Sequence, residues 1–255
     1  MSPYYGRRGG CWPAAKRDPA LRKTLGQWVK PARLPTMHGH PEFDLYEAIY
    51  TTRSMRRLRP DPVPNEVLLK VIEAATMGPS GSNRQPWRFV VVKEPGTKEF
   101  IAIRYRKAWD RYLTPKAHAI LANDPDSPHG KILKSARYLA NHIHEAPALI
   151  FAYVKLYNDP ARAGEPMYNA IFPAIQNLCL AARGYGLGTS ITGLHRMFGD
   201  EIDALLRAPK QYFSAALIPI GYPQGRWERP ARKPAAEVTH WERWDVRRAL
   251  SASTS

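Results

Sequence analysis

MGPSGSNRQPWRFVVV, residues 77–92, passes from an amphipathic helical segment through five turn formers, Pro79, Ser80, Gly81, Ser82 and Asn83, into a β-branched strand. Small side chains and many free backbone N–H groups let a polar planar ligand come close to such a loop. A plain helix-to-strand connector draws on the same residue types, so the loop alone fixes a change of secondary structure and not a ligand.

Upstream, residues 43–52 place Phe43, Tyr46, Ile49 and Tyr50 at helical spacing, and a basic turn follows at 51–60. Pro62 and Pro64 exclude helix, and Pro64 is placed to open the next one, residues 65–77, with Val67, Leu68, Val71, Ile72 and Ala75 on one face. Downstream, 88–93 reads as a strand. Residues 98–113 read as a helix with an aromatic face (Phe100, Tyr105, Trp109, Tyr112), and the Pro- and Asp-rich 114–130 as a surface loop over a substrate. Helix is expected at 131–144, strand at 148–154, loop at 158–165 and a strongly apolar helix at 167–183. A short strand at 189–192, a helix at 199–208, a strand at 215–222 and an extended aromatic tail at 229–244 complete the body. Helices outnumber short, scattered strands, which predicts an α+β fold with a central sheet flanked by helices.

The 255 residues carry a formal net charge of +16 and 44% apolar residues, enough for a sizeable core. Much of the charge sits near the start, where Arg7, Arg8, Lys16, Arg17, Arg22, Lys23, Lys30 and Arg33 face Asp18 alone. Residues 1–38 are therefore expected to form a basic, flexible extension, with a short helix near 18–29, and residues 39–255 a single domain. Cys11 and Cys179 match no metal or CxxC spacing, which suits reduced thiols in a cytoplasmic protein. No apolar run reaches membrane-spanning length and no signal-peptide core opens the chain, so neither insertion nor secretion is expected. The histidines and the tryptophans Trp87, Trp227, Trp241 and Trp244 read as structural, surface or packing residues, and no metal site is expected.

Four clusters could bear on a ligand: Arg53-Ser54-Met55-Arg56, the loop Pro79 to Gln85, the run Gly188 to Gly193, and Arg232-Lys233. Arginine forks with a serine hydroxyl suit a phosphate dianion, while Asn and Gln side chains can read the edge of a heteroaromatic ring. The G-Y-G-L-G run of residues 184–188 lies between helix and strand, the reverse of the dinucleotide fingerprint, and no P-loop is present. Spacing alone reaches no further than a phosphorylated planar cofactor.

T-R-S-M-R-R-L-R-P-D-P-V-P (52–64), P-S-G-S-N-R-Q-P-W-R-F-V-V-V (79–92), A-I-Q-N-L-C-L-A-A-R-G-Y-G-L-G-T-S-I-T-G (174–193), L-I-P-I-G-Y-P (217–223) and R-K-P-A-A-E-V (232–238) follow one another in an order that resembles the FMN-dependent nitroreductase family. The likeness covers about residues 42–244. It departs from the family's R-R-S-x-R at Thr52, which stands where the first arginine is usual, so a phosphate contact is lost or comes from Arg57 or Lys233. The resemblance implies a nitroreductase-like mixed sheet flanked by helices, in an intertwined homodimer with FMN at the interface. It implies that Arg53, Ser54, Met55 and Arg56 hold the phosphate and ribityl end with Arg232 closing on the phosphate. Ser80, Gly81, Ser82, Asn83 and Gln85 would line the flavin from the partner subunit, and Ser190, Ile191, Thr192 and Gly193 would pass one ring face. A backbone N–H near Thr192 would point at flavin N5, and no side chain is named as catalytic.

The activity implied is hydride transfer from NADPH or NADH and reduction of a small-molecule acceptor, a nitroaromatic or quinone, by ping-pong two-electron exchange. Relatives in this fold also dehalogenate aromatics reductively, fragment flavin or sequester FMN. A different class of reading rests on charge: Arg and Lys interleave with Tyr and Trp in residues 102–112, as in nucleic-acid binders, but no recognised nucleic-acid motif accompanies them.

Overall fold

The computed structural model describes residues 43–158, 160–244 and 246. The expected basic extension and its short helix lie outside these residues. At the centre is A-L-I-F-A-Y-V-K, strand β2 (Ala148–Lys155), buried along nearly its whole length. A strand alternates its side chains between two faces, so a continuous apolar run must be covered on both. Ala148, Ile150, Ala152 and Val154 join one core, while Leu149, Phe151 and Tyr153 join another.

The neighbours of β2 are β1 (Trp87–Val92) and β4 (Tyr212–Gly221), and β3 (Gly188–Thr189) adds the last edge in the order β1-β2-β4-β3. The paired strands run antiparallel. A parallel element enters through the isolated bridge between Ser54 and Thr189. The pairing of β2 with β4 slips between Ala152 and Tyr153, a bulge that sets Tyr153 opposite Ser214.

Helices α1 (Leu45–Thr51), α2 (Asn65–Thr76) and α6 (Tyr168–Gly184) and helices α3 (Pro95–Tyr112), α4 (Pro115–Asn123), α5 (Pro128–His142) and α7 (Gly199–Leu206) are the α-helices among the described residues. The first core lies between the sheet and α2 with α6; the second lies between the sheet and α3, α5 and α7. A sheet covered on both faces by helices is the α+β architecture the residue pattern predicts. Helix α2 ends where Gly78 meets α6: a Cβ there would stand 3.0 Å from the Ala174 nitrogen, so a larger residue would require the two elements to part by a few tenths of an ångström. Helix α1 is tied to α6 by Arg183, which is buried, pairs with Glu47 at 2.9 Å, donates to Thr51 Oγ1 at 3.1 Å and lies over the rings of Phe43 and Trp227.

The expected loop at 114–130 is largely helical. Thr114 and Ser127 each precede a proline, and each hydroxyl accepts a hydrogen bond from a first-turn N–H, Ala117 at 3.2 Å and Gly130 at 3.0 Å. These are N-cap and N1 pairs, so the prolines that read as loop residues start two helices. The tail expected to be extended contains a short 3₁₀ turn, Ala235–Val238. The expected strand at 189–192 shortens to β3, after which Thr192 bridges separately to Leu217.

Candidate functional site

The turn at Arg53 to Arg56 and the segment after β3 are stitched together. The Met55 N–H donates to the Thr189 carbonyl at 2.8 Å, beside the Ser54–Thr189 bridge. Met55 itself is buried in the second core, so it anchors the turn and does not face a ligand. Two cavities share Ile191 in their walls.

The first, about 1000 Å³, is lined by Thr52, Arg53, Ser54, Thr189 and Ile191 and by the C-terminal segment, including Arg229, Arg232 and Lys233. The cations gathered here make a strong anion seat. Arg53 donates to the Arg226 carbonyl at 2.8 Å and approaches Glu228 at 3.7 Å, while its Nε is buried with no hydrogen-bond partner. Thr52 Oγ1 is likewise buried and unpaired. Buried polar atoms left unpaired are costly, and a ligand that pairs them recovers that cost.

The second cavity, about 870 Å³, has Tyr105, Trp109 and Tyr112 of α3 on one side and Ile132, Leu133, Ala136 and Leu139 of α5 on another. Ser190, Ile191, Thr192 and Gly193 lie against it, and Arg56, His129 and Arg196 bring positive or titratable groups to it. Ser190 Oγ is buried and unpaired, the same condition as Arg53 Nε and Thr52 Oγ1. Tyr105 and Thr192 share a hydroxyl–hydroxyl hydrogen bond of 2.9 Å. Burial pushes the Tyr105 phenol above its ordinary value and draws the Arg56 guanidinium below its own, while the attraction between the two opposes both shifts.

The expected site residues are distributed over three places. Arg56 lines the aromatic-walled cavity and not the basic one that holds Arg53, Ser54 and Arg232, with the buried Met55 between the two groups. The Thr192 N–H is committed to the Leu217 carbonyl at 3.0 Å, so a free donor near it must come from the adjoining backbone at Ile191 or Gly193. Ser80, Gly81, Ser82, Asn83 and Gln85 line neither cavity within one chain. That loop from 81 to 85 is exposed and holds Ser82, Asn83 and Gln85 at φ of 53°, 51° and 48°, a left-handed conformation that costs free energy in residues other than glycine. It is braced from within, Gln85 N–H to Ser80 Oγ at 3.1 Å and Gln85 Nε2 to Asn83 Oδ1 at 3.2 Å.

Residues 49–222 match the Nitroreductase family model. The chain belongs to the Nitroreductase family. It is 26% identical over 236 residues to a Thermus thermophilus protein named NADH dehydrogenase, covering 79% of this chain and 97% of the relative. It is 29% identical over 222 residues to human iodotyrosine deiodinase 1, covering 80% of this chain and 73% of that one. The fold matches that of an FMN and NADPH-dependent nitroreductase from sphigopyxis sp. strain HMH, with a TM-score of 0.60, 21% identity, and coverage of 79% of this chain and all of the other.

Within this nitroreductase-family fold, several site residues escaped the residue-by-residue reading. Tyr105, Trp109 and Tyr112 were legible only as an aromatic helix face, though their spacing of four and three already puts them on one side. His129 carried no motif, and its place in the cavity follows from the turn that starts α5. Arg196 and Arg229 lay outside the recognised clusters. Beneath the site, buried His195 bonds through Nε2 to Ser214 Oγ at 2.8 Å, and Tyr153 donates to Asp203 at 2.6 Å. Among the described residues no group of His, Cys, Asp and Glu could hold a metal ion, and no helix is long and apolar enough to cross a membrane.

Proposed function

We propose that this chain is an FMN-dependent oxidoreductase that takes hydride from NADPH or NADH and reduces nitroaromatic or quinone-type acceptors. The observation that carries the reading is the set of buried unpaired polar atoms, Arg53 Nε and Thr52 Oγ1 in a basic cavity and Ser190 Oγ in the aromatic-walled one that adjoins it. A ligand with a phosphate at one end and a planar ring at the other matches that sequence of environments. When bound, FMN would supply the two-electron redox chemistry.

The chain's own residues would do the holding. Arg53, Ser54 and Arg232, with Arg229 and Lys233, would neutralise the phosphate, and the additional cations make up for Thr52 in place of the usual arginine. Ser190, Ile191, Thr192 and Gly193 would support the ring, with Arg56 supplying positive charge on the side of the second cavity. The exposed, conformationally strained loop with Ser80, Gly81, Ser82, Asn83 and Gln85 would complete the site of a second copy, in a homodimer of 39–255 domains. For a nitroaromatic the exchange balances as one reduced nicotinamide, one solvent proton and the nitro compound giving oxidised nicotinamide, the nitroso compound and water. No side-chain acid is needed, since solvent reaches the open cavity.

The visible absorption spectrum of the purified protein, recorded before and after anaerobic addition of NADPH, tests the reading. Flavin bands that bleach are expected. A colourless protein that takes up no flavin on incubation with FMN would overturn it.

A further inference from the structure

The aromatic-walled cavity has an uneven electrostatic lining. Arg56 and Arg196 carry positive charge into it, His129 and the hydroxyls of Tyr105 and Tyr112 add donors, and no Asp or Glu lines it. A cleft lined by cations favours ligands of opposite charge. Arg196 is held in a particular place. Its guanidinium rests on Gly193: a Cβ at that glycine would stand 2.9 Å from the Arg196 terminal nitrogen and 3.2 Å from its Cζ. Glycine at 193 therefore makes room for a cation directly over the turn that faces the cavity. Among the described residues Arg196 forms no ion pair. On its other side Arg196 borders a smaller cavity with Asp200, Glu201 and Asp203 and lies 5.8 Å from the Phe213 ring centre; of these acids Glu201 is engaged by Arg104 at 2.6 Å and Asp203 by Tyr153.

The geometry points to a planar aromatic carboxylate as the acceptor class, with Arg196 as the residue that receives the carboxylate. The ring would stack among Tyr105, Trp109 and Tyr112, where offset aromatic contacts and burial both favour it. The carboxylate would meet the guanidinium fork, which is matched to it in shape and charge. A neutral aromatic would use the same walls but leave Arg196, which is exposed, to solvent. This inference rests on the oxidoreductase reading above, but binding of the acid can be measured without turnover.

The test compares 4-nitrobenzoate with 4-nitrobenzamide, which share size and ring but differ in charge. The amide is the easier of the two to reduce, so intrinsic chemistry works against the expected preference. In the wild-type protein kcat/KM for the benzoate is expected to exceed that for the amide by about tenfold, the range of one charge-assisted hydrogen bond. Arg196→Gln is expected to bring that ratio down towards one and Arg196→Lys to keep part of it. Gly193→Ala, which pushes the guanidinium off its seat, is expected to act in the direction of Arg196→Gln. Calorimetric binding of 4-methylbenzoate against 4-methylbenzamide should show the same ordering without any redox step. A ratio near one in the wild type, with both nitro compounds reduced, would overturn this inference and leave the oxidoreductase reading intact. An unchanged ratio in Arg196→Gln with a raised KM for NADPH would also overturn it, assigning the cation to the donor's phosphate. Failure to reduce either compound, or quinones, in flavin-loaded protein would instead count against the oxidoreductase reading.

Discussion

At the scale of single residues, burial decides which groups can take part in chemistry. His195 is buried against Phe151 and Ser214, and burial, with Arg196 alongside, pushes its imidazole down to about 3. It therefore stays neutral in the folded protein while the unfolded chain protonates near 6.5. Between those values the unfolded state binds the extra proton, so stability falls as pH drops below about 6.5, by up to about 1.4 kcal/mol per pH unit from this one group. Urea midpoints measured at pH 7.5, 6.0 and 5.0 should decline less steeply in His195→Gln than in the wild type. Parallel slopes would show that His195 is not the source. Cys179 lies in the wall of the basic cavity, yet burial raises its thiol to about 11. The thiol is protonated at neutral pH and a poor nucleophile. Iodoacetamide at pH 8 should leave the Cys179 peptide unmodified in native protein and label it after denaturation, as read by mass spectrometry.

At the scale of elements, the two helices over the aromatic-walled cavity depend on their first turns. Ser127 caps α5 through its hydroxyl, with Pro128 behind it. Ser127→Ala should destabilise the protein by about 1 kcal/mol. Because α5 contributes Ile132, Leu133, Ala136 and Leu139 to the cavity, loosening its start should also raise KM for an acceptor more than it lowers kcat. Thermal melts and steady-state kinetics on the same preparation would separate the two effects, and a change in stability alone would place the cap outside the site's control. These helices also show where sequence reading has its limit. The three longer sheet strands were legible because apolar runs as short as residues 148–154, bounded by Pro147, suit a buried strand better than a helix. The segment 114–130 was not, since proline and aspartate serve equally to interrupt a helix and to begin one. Only the pairing of Thr114 with Pro115, and of Ser127 with Pro128, distinguishes these uses.

At the scale of the whole molecule, the turn at Arg53 to Arg56, the run to Gly193 and the C-terminal cations were all legible as site components. Their division between two cavities was not, because it depends on which way each side chain leaves an extended turn. The loop after α2 was the most recognisable stretch, and in one chain it lines neither cavity. Helices α1 and α6 carry exposed apolar side chains: Leu45, Tyr46, Ile49, Tyr50, Tyr168 and Phe172. Surfaces of this kind mark association sites. Light scattering should give twice the chain mass. Phe172→Asp should shift the mass towards that of one chain and release flavin in the same step. A monomeric wild-type protein that keeps its flavin would contradict the shared site.

The central strand has a consequence for how the chain comes off the ribosome. One edge of β2 is covered by β1, which has already been synthesised, but the other waits for β4, beyond the whole of α6. At translation rates of about 5–20 residues per second the apolar strand has an open edge for several seconds. Open edges of this kind recruit other strands. Nascent chains are thus most open to mutual strand pairing after β2 has emerged and before β4 arrives, an interval set by the speed of translation through α6.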